Sequence, residues 1–487
     1  MNIFGALRRK GLVNWPGVTY ASKSLVTSLL VKDAHEHHAY FNPLGFHNHL
    51  SHHLFAAYDL GASPSLLQKI YDEEAKSQRP IFLEEKDKDV VITKENWKQC
   101  LGDQHAYAGY FKFYSANVQE FGALKTVEQY IFANDANDAD AHMLIRLVSG
   151  AVHPFIVVGY GLEFENDVIV AAGLAMASIT KLLPTSVFDF SETTNTKNVP
   201  LEDGRQPARG LSVLEILRQV YDSDILKPPL PYDPDSLLSE KIKNAISDGR
   251  AEEIKRILSQ FEVDTNSGDQ EFDAKAEEII WTVTLLLFAT GRPGRKPRLD
   301  FFLMHLVTSS LLLPSYLRVL QNPAHKVNVL RAYLTTMIVL TLSRGRPRID
   351  PELLMSYSAT PRPPVSSSLS PGDGAIGDPR EDGDYNPWPA MIESILYAHD
   401  SHAVKTMRTL VYAAQKYGHI RSGHVIGAYS AKDEEETHEG IGDLDGTIFV
   451  RSAGILLGQL GWAGHGQVRG QWDRSALGWD DAWKDEE

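Results

Sequence analysis

The sequence predicts a mainly α-helical protein, a large single helical domain with long surface loops. Apolar residues recur with the 3.6-residue period of an α-helix along most of the chain, whereas the alternation typical of half-buried strands is scarce. Three apolar runs, 279–290, 301–313 and 333–342, indicate buried core helices, because each is shorter than the roughly eighteen residues that span a bilayer. With 487 residues and 43% hydrophobic content, the chain can bury a large core.

The elements follow in chain order. Residues 1–34 are interpreted as an N-terminal lead-in and 35–487 as the helical domain. In the first half the predicted helices are 24–34, about 44–61, 65–76 with Pro64 at its first turn, 140–152 and 168–183. Residues 185–236, rich in Pro, Asp and Thr, are predicted to pass over the surface. Residues 358–387, dominated by Pro, Gly, Ser and Asp, are predicted to form a mobile loop.

Composition excludes several classes of protein. The net charge of −15, without a sustained Lys/Arg stripe, argues against nucleic acid or an anionic membrane as partner. The single cysteine, Cys100, excludes an internal disulfide and Cys-rich zinc or iron–sulfur sites, and it fits a reducing compartment. No secretory signal follows the basic residues near the amino terminus. We therefore expect a cytoplasmic protein without a membrane span.

A histidine-rich stretch is the strongest candidate for chemistry. Seven of the eighteen histidines fall between His35 and His53, interleaved with large apolar residues rather than with Gly and Ser. If the stretch is helical, His49 and His53 are spaced i,i+4 and share a face that could hold one metal ion. His52 would point the opposite way and ranks below them. A solvated surface tract or a set of hydrogen-bonded core histidines is the alternative interpretation.

Three further histidines lie in apolar blocks: His153, His305 and His402. The chain has no complete G-x-G-x-x-G fingerprint, Walker A motif, G-x-S-x-G elbow or catalytic Cys/His signature. Any chemistry must therefore come from histidines and a metal. Imidazole ligation with one carboxylate suits iron, copper or zinc, and the sequence does not choose among them.

Five blocks in the same order along the chain resemble the questin oxidase-like family of fungal polyketide pathways. They are FHNHLSHHLFAAYDLGASP, RLVSGAVHPFIVVGYGLEF, DFFLMHLVTSS, NPWPAMIESILYAHDSHAVKTMR and GQWDRSALGWDDAW. The resemblance runs from about residue 35 to the end of the chain. One departure is Val157, because the family often has a second histidine at that position.

The resemblance implies oxidative ring opening of an anthraquinone with molecular oxygen. One branch of the family is similar to non-haem iron dioxygenases with Fe(II) held by four histidines and a carboxylated lysine. The spacing of His49 and His53 and the apolar surroundings of His153 and His305 predict that these residues bind one metal ion. With His402 the expected site has five histidines, one more than that branch. The resemblance further implies a carboxylated Lys405 as an additional iron ligand, with Asp400 as a hydrogen-bonding partner.

Should Lys405 not ligate the metal, His399 or Glu163 would replace it. Another description of the family is NADPH-dependent Baeyer–Villiger oxygenation, and the absence of a dinucleotide fingerprint argues against it. A non-catalytic, metal-stabilised protein that binds an aromatic metabolite is the third alternative. The sequence does not specify which anthraquinone is used, which bond is cleaved or which oligomer forms.

Overall fold

The structure is a computed structural model, and it describes residues 3–191, 210–364, 370–378, 380–432 and 434–484. Within these ranges the regular secondary structure is helical, and strand-like pairing is limited to isolated β-bridges such as that between Tyr40 and His47. The prediction of a mainly α fold is confirmed.

The described residues form nineteen α-helices. In chain order they are α1 (Tyr20–Glu36), α2 (Leu50–Asp59), α3 (Pro64–Glu74), α4 (Tyr107–Phe121), α5 (Ala123–Val127), α6 (Met143–Val148), α7 (His153–Glu163), α8 (Asp167–Ile179), α9 (Val213–Asp222), α10 (Leu238–Ile246), α11 (Arg250–Leu258), α12 (Asp269–Phe288), α13 (Phe301–Ser310), α14 (Leu313–Val319), α15 (Pro323–Ser343), α16 (Pro351–Ser356), α17 (Trp388–Leu396), α18 (Ser401–Tyr417) and α19 (Ile448–Leu460).

The first half of the chain packs around α2, whose residues are all buried. Helix α1 lies against α2, α3 and α8, and α7 and α8 form an extensive pair. Gly161 and Gly173 allow this close approach, since a Cβ at either glycine would clash with the backbone of the facing helix. The predicted boundary at residue 34 falls inside α1, so the same core includes residues on both sides of it.

The second half of the chain joins this core through α18. That helix packs against α2 from the first half and against α13 and α19 from the second half. Helices α12, α13 and α15 supply the buried apolar runs that the sequence predicted, and α14 continues the second of them. This packing of α2, α13 and α18 places distant parts of the chain side by side.

One helical stretch, Phe301–Val319, is long and apolar enough to cross a membrane by length and composition alone. Its 19 residues exceed the length expected from the sequence, because α14 follows α13 with only a short turn between them. However, 78% of its most apolar window is buried inside the protein, as in the core helices of proteins that cross no membrane.

Two predicted surface segments lie partly outside the described residues. Of the predicted mobile loop at 358–387, residues 365–369 and 379 are outside, and the described remainder is largely exposed and holds no helix before α17. Of the segment 185–236, residues 192–209 are outside. The described part contains α9, whose apolar side chains are buried, so the prediction of a purely superficial path was wrong there.

Candidate metal centre

Four histidines from four separate parts of the chain converge on one point: His49, His153, His305 and His402. One nitrogen from each ring lies within 4.8 Å of the corresponding atom of every other ring. The Nε2 atom of His49 is 2.9 Å from Nε2 of His153 and 3.1 Å from Nε2 of His402. His153 and His305 are buried, whereas His49 and His402 are partly exposed. We call this group the four-histidine centre.

His49 reaches the centre because it precedes α2 rather than lying within it. It is the N-cap residue, with φ −104° and ψ −2°, and the helix proper begins at Leu50. The preceding residue is fixed on both sides, since Asn48 N donates to Ala39 O and Asn48 Oδ1 accepts from Leu50 N. The predicted helix start near Leu44 was therefore too early. The i,i+4 argument for the His49 side chain does not hold, because His49 lies outside the helix.

The helix predicted over 140–152 ends at Val148, and His153 begins the next helix, α7. The break consists of Gly150, Ala151 and Val152, all of which have positive φ, at 57°, 50° and 61°. Positive φ is rare for a β-branched residue, and such strained positions cluster at functional sites. The result is a tight turn in which Gly150 O accepts a hydrogen bond from His153 Nδ1 at 2.6 Å.

The other two rings are held in the same way. The Nδ1 atom of His305 donates to Phe301 O at 2.8 Å within α13. The Nδ1 atom of His402 lies 2.9 Å from Asp400 Oδ1, and the other carboxylate oxygen of Asp400 accepts from Trp472 Nε1 at 2.9 Å. Asp400 also caps α18 by accepting from His402 N. The expected role of Asp400 as a hydrogen-bonding partner of His402 therefore matches the geometry.

These bonds determine which nitrogen faces the centre as an acceptor. Backbone carbonyls and carboxylates only accept, so Nδ1 carries the hydrogen in His153, His305 and His402, and Nε2 of each neutral ring keeps a free lone pair. His49 Nε2 could donate one hydrogen, yet it faces two such lone pairs. One hydrogen cannot serve both contacts, so the three nitrogens are arranged as they would be around a shared cation.

The distances suit a metal ion. With metal–imidazole bonds of about 2.0 to 2.1 Å, two nitrogens on one ion lie about 3 Å apart at the right angle of octahedral coordination and about 3.4 Å apart at a tetrahedral angle. The measured separations of 2.9 and 3.1 Å match the first of these spacings. An Nδ1 hydrogen bond to a carbonyl or carboxylate is also the usual support of a metal-binding histidine. The residues present therefore fit a metal.

The electrostatics keep these rings in the form that binds metals. Burial lowers the pKa of His49, His153 and His305 well below the ordinary value. Burial and then the charge of Lys405 lower the pKa of His402, against the opposing effect of Asp400. Burial disfavours the charge of Asp400, but the hydrogen bond and charge of His402 outweigh it and lower the pKa of that carboxyl. Neutral imidazoles and one ionised carboxylate result.

Lys405 lies one turn after His402 on α18 and is 1% exposed. Its Nζ atom is 3.5 Å from Nδ1 of His52, whose ring packs edge-on against His49. Burial lowers the pKa of Lys405 to about 7, and the charges of Asp400 and Glu74 only partly oppose this. The structure thus places Lys405 beside the four-histidine centre, where its amine is largely desolvated.

His53 does not join the other four histidines. Its Nδ1 atom lies 2.6 Å from Glu74 Oε1 of α3, and its Nε2 atom is buried without a partner. The structure does not bring His53 to the partner that the sequence predicted for it, because His49 lies before the helix and its ring does not follow the helical face. His52, ranked lower from the sequence, is the α2 histidine whose ring contacts His49 and lies near His153.

The two replacement candidates for Lys405 are engaged elsewhere. His399 is mostly exposed and lies 3.8 Å from Glu73. Glu163 pairs with Arg408 and accepts from Leu12 N at 2.7 Å, and burial raises its pKa. Val157, where the family often has histidine, is buried one turn after His153 on α7.

Sequence reasoning missed His47. Its ring stacks on His153 with centroids 4.0 Å apart and an interplanar angle of 5°. Burial, followed by the charge of Lys405, lowers its pKa to about 3. Helical periodicity could not indicate this contact, because His47 lies in the segment before α2. Its place in the F-H-N-H block, two residues before His49, was the signal available.

A family profile and several named relatives match this chain. The profile of the family described as questin oxidase-like matches residues 46–410. Questin oxidase from Aspergillus fumigatus is 26% identical over 78% of this chain and 79% of its own length. The Baeyer-Villiger oxidase ptaJ from Pestalotiopsis fici is 26% identical over 85% of each chain. The Baeyer-Villiger oxidase AgnL3 from Paecilomyces divaricatus is 29% identical over 63% of this chain and 65% of its own. The chain therefore belongs to the questin oxidase-like family of oxidoreductases.

Proposed function

We propose that the protein is a non-haem iron-dependent dioxygenase that cleaves a carbon–carbon bond of an anthraquinone in fungal polyketide secondary metabolism. The substrate class is taken from a relative named questin oxidase and from the family as a whole. The convergence of four imidazole nitrogens within 4.8 Å, with Nδ1 anchored in three of them, carries the proposal.

The chain's own residues would bind the metal, orient it and limit its contact with water. His49, His153, His305 and His402 would hold Fe(II), which when bound supplies the activation of molecular oxygen. Gly150 O, Phe301 O and Asp400 fix the directions of three rings. The partly exposed His49 and His402 mark the side of the centre that is nearest to solvent.

Carboxylated Lys405 belongs to this proposal. A lysine with a pKa near 7 is neutral in a large fraction of molecules at neutral pH, and a neutral amine adds carbon dioxide and releases a proton to give a carbamate. The carbamate would bring an anionic oxygen to a site otherwise made of neutral rings. Burial of Lys405 and its position one turn from His402 support this role.

A second candidate is NADPH-dependent Baeyer–Villiger oxygenation of the same substrate class. The observation that favours it is the naming of several relatives as Baeyer-Villiger oxidases or monooxygenases. A third possibility is a metal-stabilised protein that binds an aromatic metabolite without turnover.

One experiment separates the three candidates. Iron content is first measured, and the anaerobic protein is mixed with a hydroxylated anthraquinone and then exposed to oxygen with and without NADPH. The dioxygenase proposal expects about one iron per chain and ring opening without NADPH. Turnover only with NADPH would favour Baeyer–Villiger oxygenation, and binding without turnover would favour the non-catalytic protein.

A further inference from the structure

A pocket of about 280 Å³ opens beside the four-histidine centre. It lies between residues 40–47, residues 102–105 and residues 179–181, and Gly150 completes its wall. Its size is just below the range of small-molecule pockets, which starts at about 300 Å³. We call it the side pocket.

Two residues of the side pocket touch a member of the four-histidine centre. His47 stacks on His153 at a centroid distance of 4.0 Å. Gly150 contributes the carbonyl oxygen that accepts from His153 Nδ1. A molecule in the side pocket is thus separated from His153 by a single layer of atoms.

His47 also brings an unused polar atom to this wall. The residue is 7% exposed, and its Nε2 atom is buried without a hydrogen-bond partner. A Cβ atom at position 150 would lie 3.1 Å from this nitrogen, so the edge of the ring packs close to the backbone of Gly150, where only a glycine leaves room for it. Buried polar atoms in proteins nearly always have a partner, and a hydroxyl or carbonyl group of a ligand would supply one.

The side pocket is lined by both apolar and charged residues, among them Leu44, Asp103 and Lys181. Leu44 is 83% exposed and lies at the rim beside Pro43. The loop is held in shape because Asn42 Oδ1 accepts from the backbone nitrogens of Leu44 and Phe46. The loop therefore presents a large aliphatic side chain to solvent at the pocket's opening, where an apolar ligand would cover it.

We propose that the side pocket binds the substrate, a flat phenolic aromatic molecule that packs against Leu44 and places an oxygen atom against His47 Nε2. This inference rests on the proposed function for the choice of ligand. His47 is then a positioning residue that holds the substrate's polar edge beside His153. Leu44 is a specificity residue that favours an apolar ring system.

The test is equilibrium binding of 1,8-dihydroxyanthraquinone to iron-loaded protein without oxygen. Leu44→Asp should weaken binding about tenfold, because a charge replaces the apolar side chain at the rim. The matched control, Leu237→Asp, changes a leucine that is 71% exposed at the start of α10 and should leave the Kd unchanged. His47→Leu should weaken binding about fivefold, the effect of one lost hydrogen bond, while His47→Gln keeps a polar atom there and should stay within about twofold.

Iron content is measured in every variant, so that the side-pocket proposal and the dioxygenase proposal can be refuted independently of each other. Unchanged binding in both Leu44→Asp and His47→Leu would overturn the side-pocket proposal even if the enzyme turns over. The absence of measurable binding to the unmodified protein would overturn it as well. Binding that responds to these variants in a protein without iron or turnover would support the pocket and refute the dioxygenase proposal.

Discussion

His49 and His53 are four residues apart, yet their rings reach different surroundings. His49 faces two other imidazole nitrogens at 2.9 and 3.1 Å, while His53 bonds to Glu74 at 2.6 Å. We predict that His49→Ala loses most of the iron and turnover together, because one of the convergent nitrogens is gone. His53→Ala should keep most of the iron. Metal analysis of the purified variants with circular dichroism as a folding control is the measurement, and full iron occupancy in His49→Ala would contradict the assignment.

Lys405 is predicted to matter as a carboxylated group rather than as a cation. Lys405→Ala should abolish activity, and a short carboxylate added to that variant should restore part of it by occupying the vacated space. The matched control is Lys416→Ala, which removes an exposed lysine from the same helix and should leave turnover unchanged. Turnover in Lys405→Ala equal to that of the unmodified enzyme would refute the role.

Glu277 in α12 gives a pH-dependent prediction away from the metal centre. Burial raises its pKa to about 7, whereas an unfolded glutamate titrates near about 4.3. Between these values the folded protein binds more protons than the unfolded chain, so its stability falls as pH rises. Glu277→Gln removes the charge and keeps an acceptor for Trp281 Nε1. We expect it to stabilise the fold by about 1 to 2 kcal/mol at pH 8 and by about zero at pH 4.

Denaturant unfolding at the two pH values measures this effect. Glu252→Gln, on the exposed face of α11, serves as the control and should change stability little at either pH. Equal stability of Glu277→Gln and the unmodified protein at pH 8 would show that the Glu277 carboxylate is better solvated than its burial indicates.

At the scale of elements, the start of α18 depends on the C-terminal segment. Trp472 Nε1 donates to Asp400 Oδ2, and Asp400 Oδ1 holds both the backbone and the ring of His402. Trp472→Phe keeps the apolar ring and removes the donor. Loss of such a supporting bond weakens metal binding by about 10- to 100-fold, so we expect the iron affinity to fall by about tenfold.

A competition titration against a chromogenic chelator measures the iron affinity. Trp483→Phe is the matched control, because Trp483 Nε1 donates to Leu477 O in the same segment, a bond outside the four-histidine centre. If both variants lost affinity equally, the C-terminal segment would act through general stability and the specific role of Trp472 would be wrong.

The turn before α7 shows how an element boundary sets a functional direction. Three consecutive residues with positive φ, Gly150 to Val152, turn the chain so that His153 begins a helix. A continuous helix through this stretch would direct His153 along another face. The strain stored at Ala151 and Val152 is therefore tied to the position of the His153 ring.

At the scale of the whole molecule, the four-histidine centre joins residues from both halves of the chain. His49 and His402 are 353 positions apart and their ring nitrogens are 3.1 Å apart. A metal bound only by the folded protein stabilises it, by about 3 kcal/mol at a free concentration one hundred times the Kd. We predict that removal of iron by a chelator lowers the melting temperature and that added Fe(II) restores it. An unchanged melting temperature after proven removal of the metal would contradict this coupling.

Much of the architecture was readable from local sequence. The apolar runs of α12, α13 and α15 and the start of α3 at Pro64 appeared as predicted, since amphipathic period and capping residues act over one or two turns. Helix α9 was missed although its signal was present. Ser212 and Glu215 form a capping box at the start of that helix. The helix was missed because the whole segment 185–236 was assigned to the surface from its composition.

The sequence by itself determined the helical class, the buried apolar helices and the kinds of group available for chemistry, above all the histidines. Lys405 was singled out only by the resemblance to a known family. Only the tertiary structure decided which histidines meet. The packing of α18 against α2 and α13 brings His402 to His49 and His305, and the break before α7 directs His153 to the same point. The same packing leaves His53 with Glu74 and places His47 against His153. The physical reason is that sequence periodicity is a local signal, which specifies the face of one helix. A shared site depends on how several helices pack and on where each one begins.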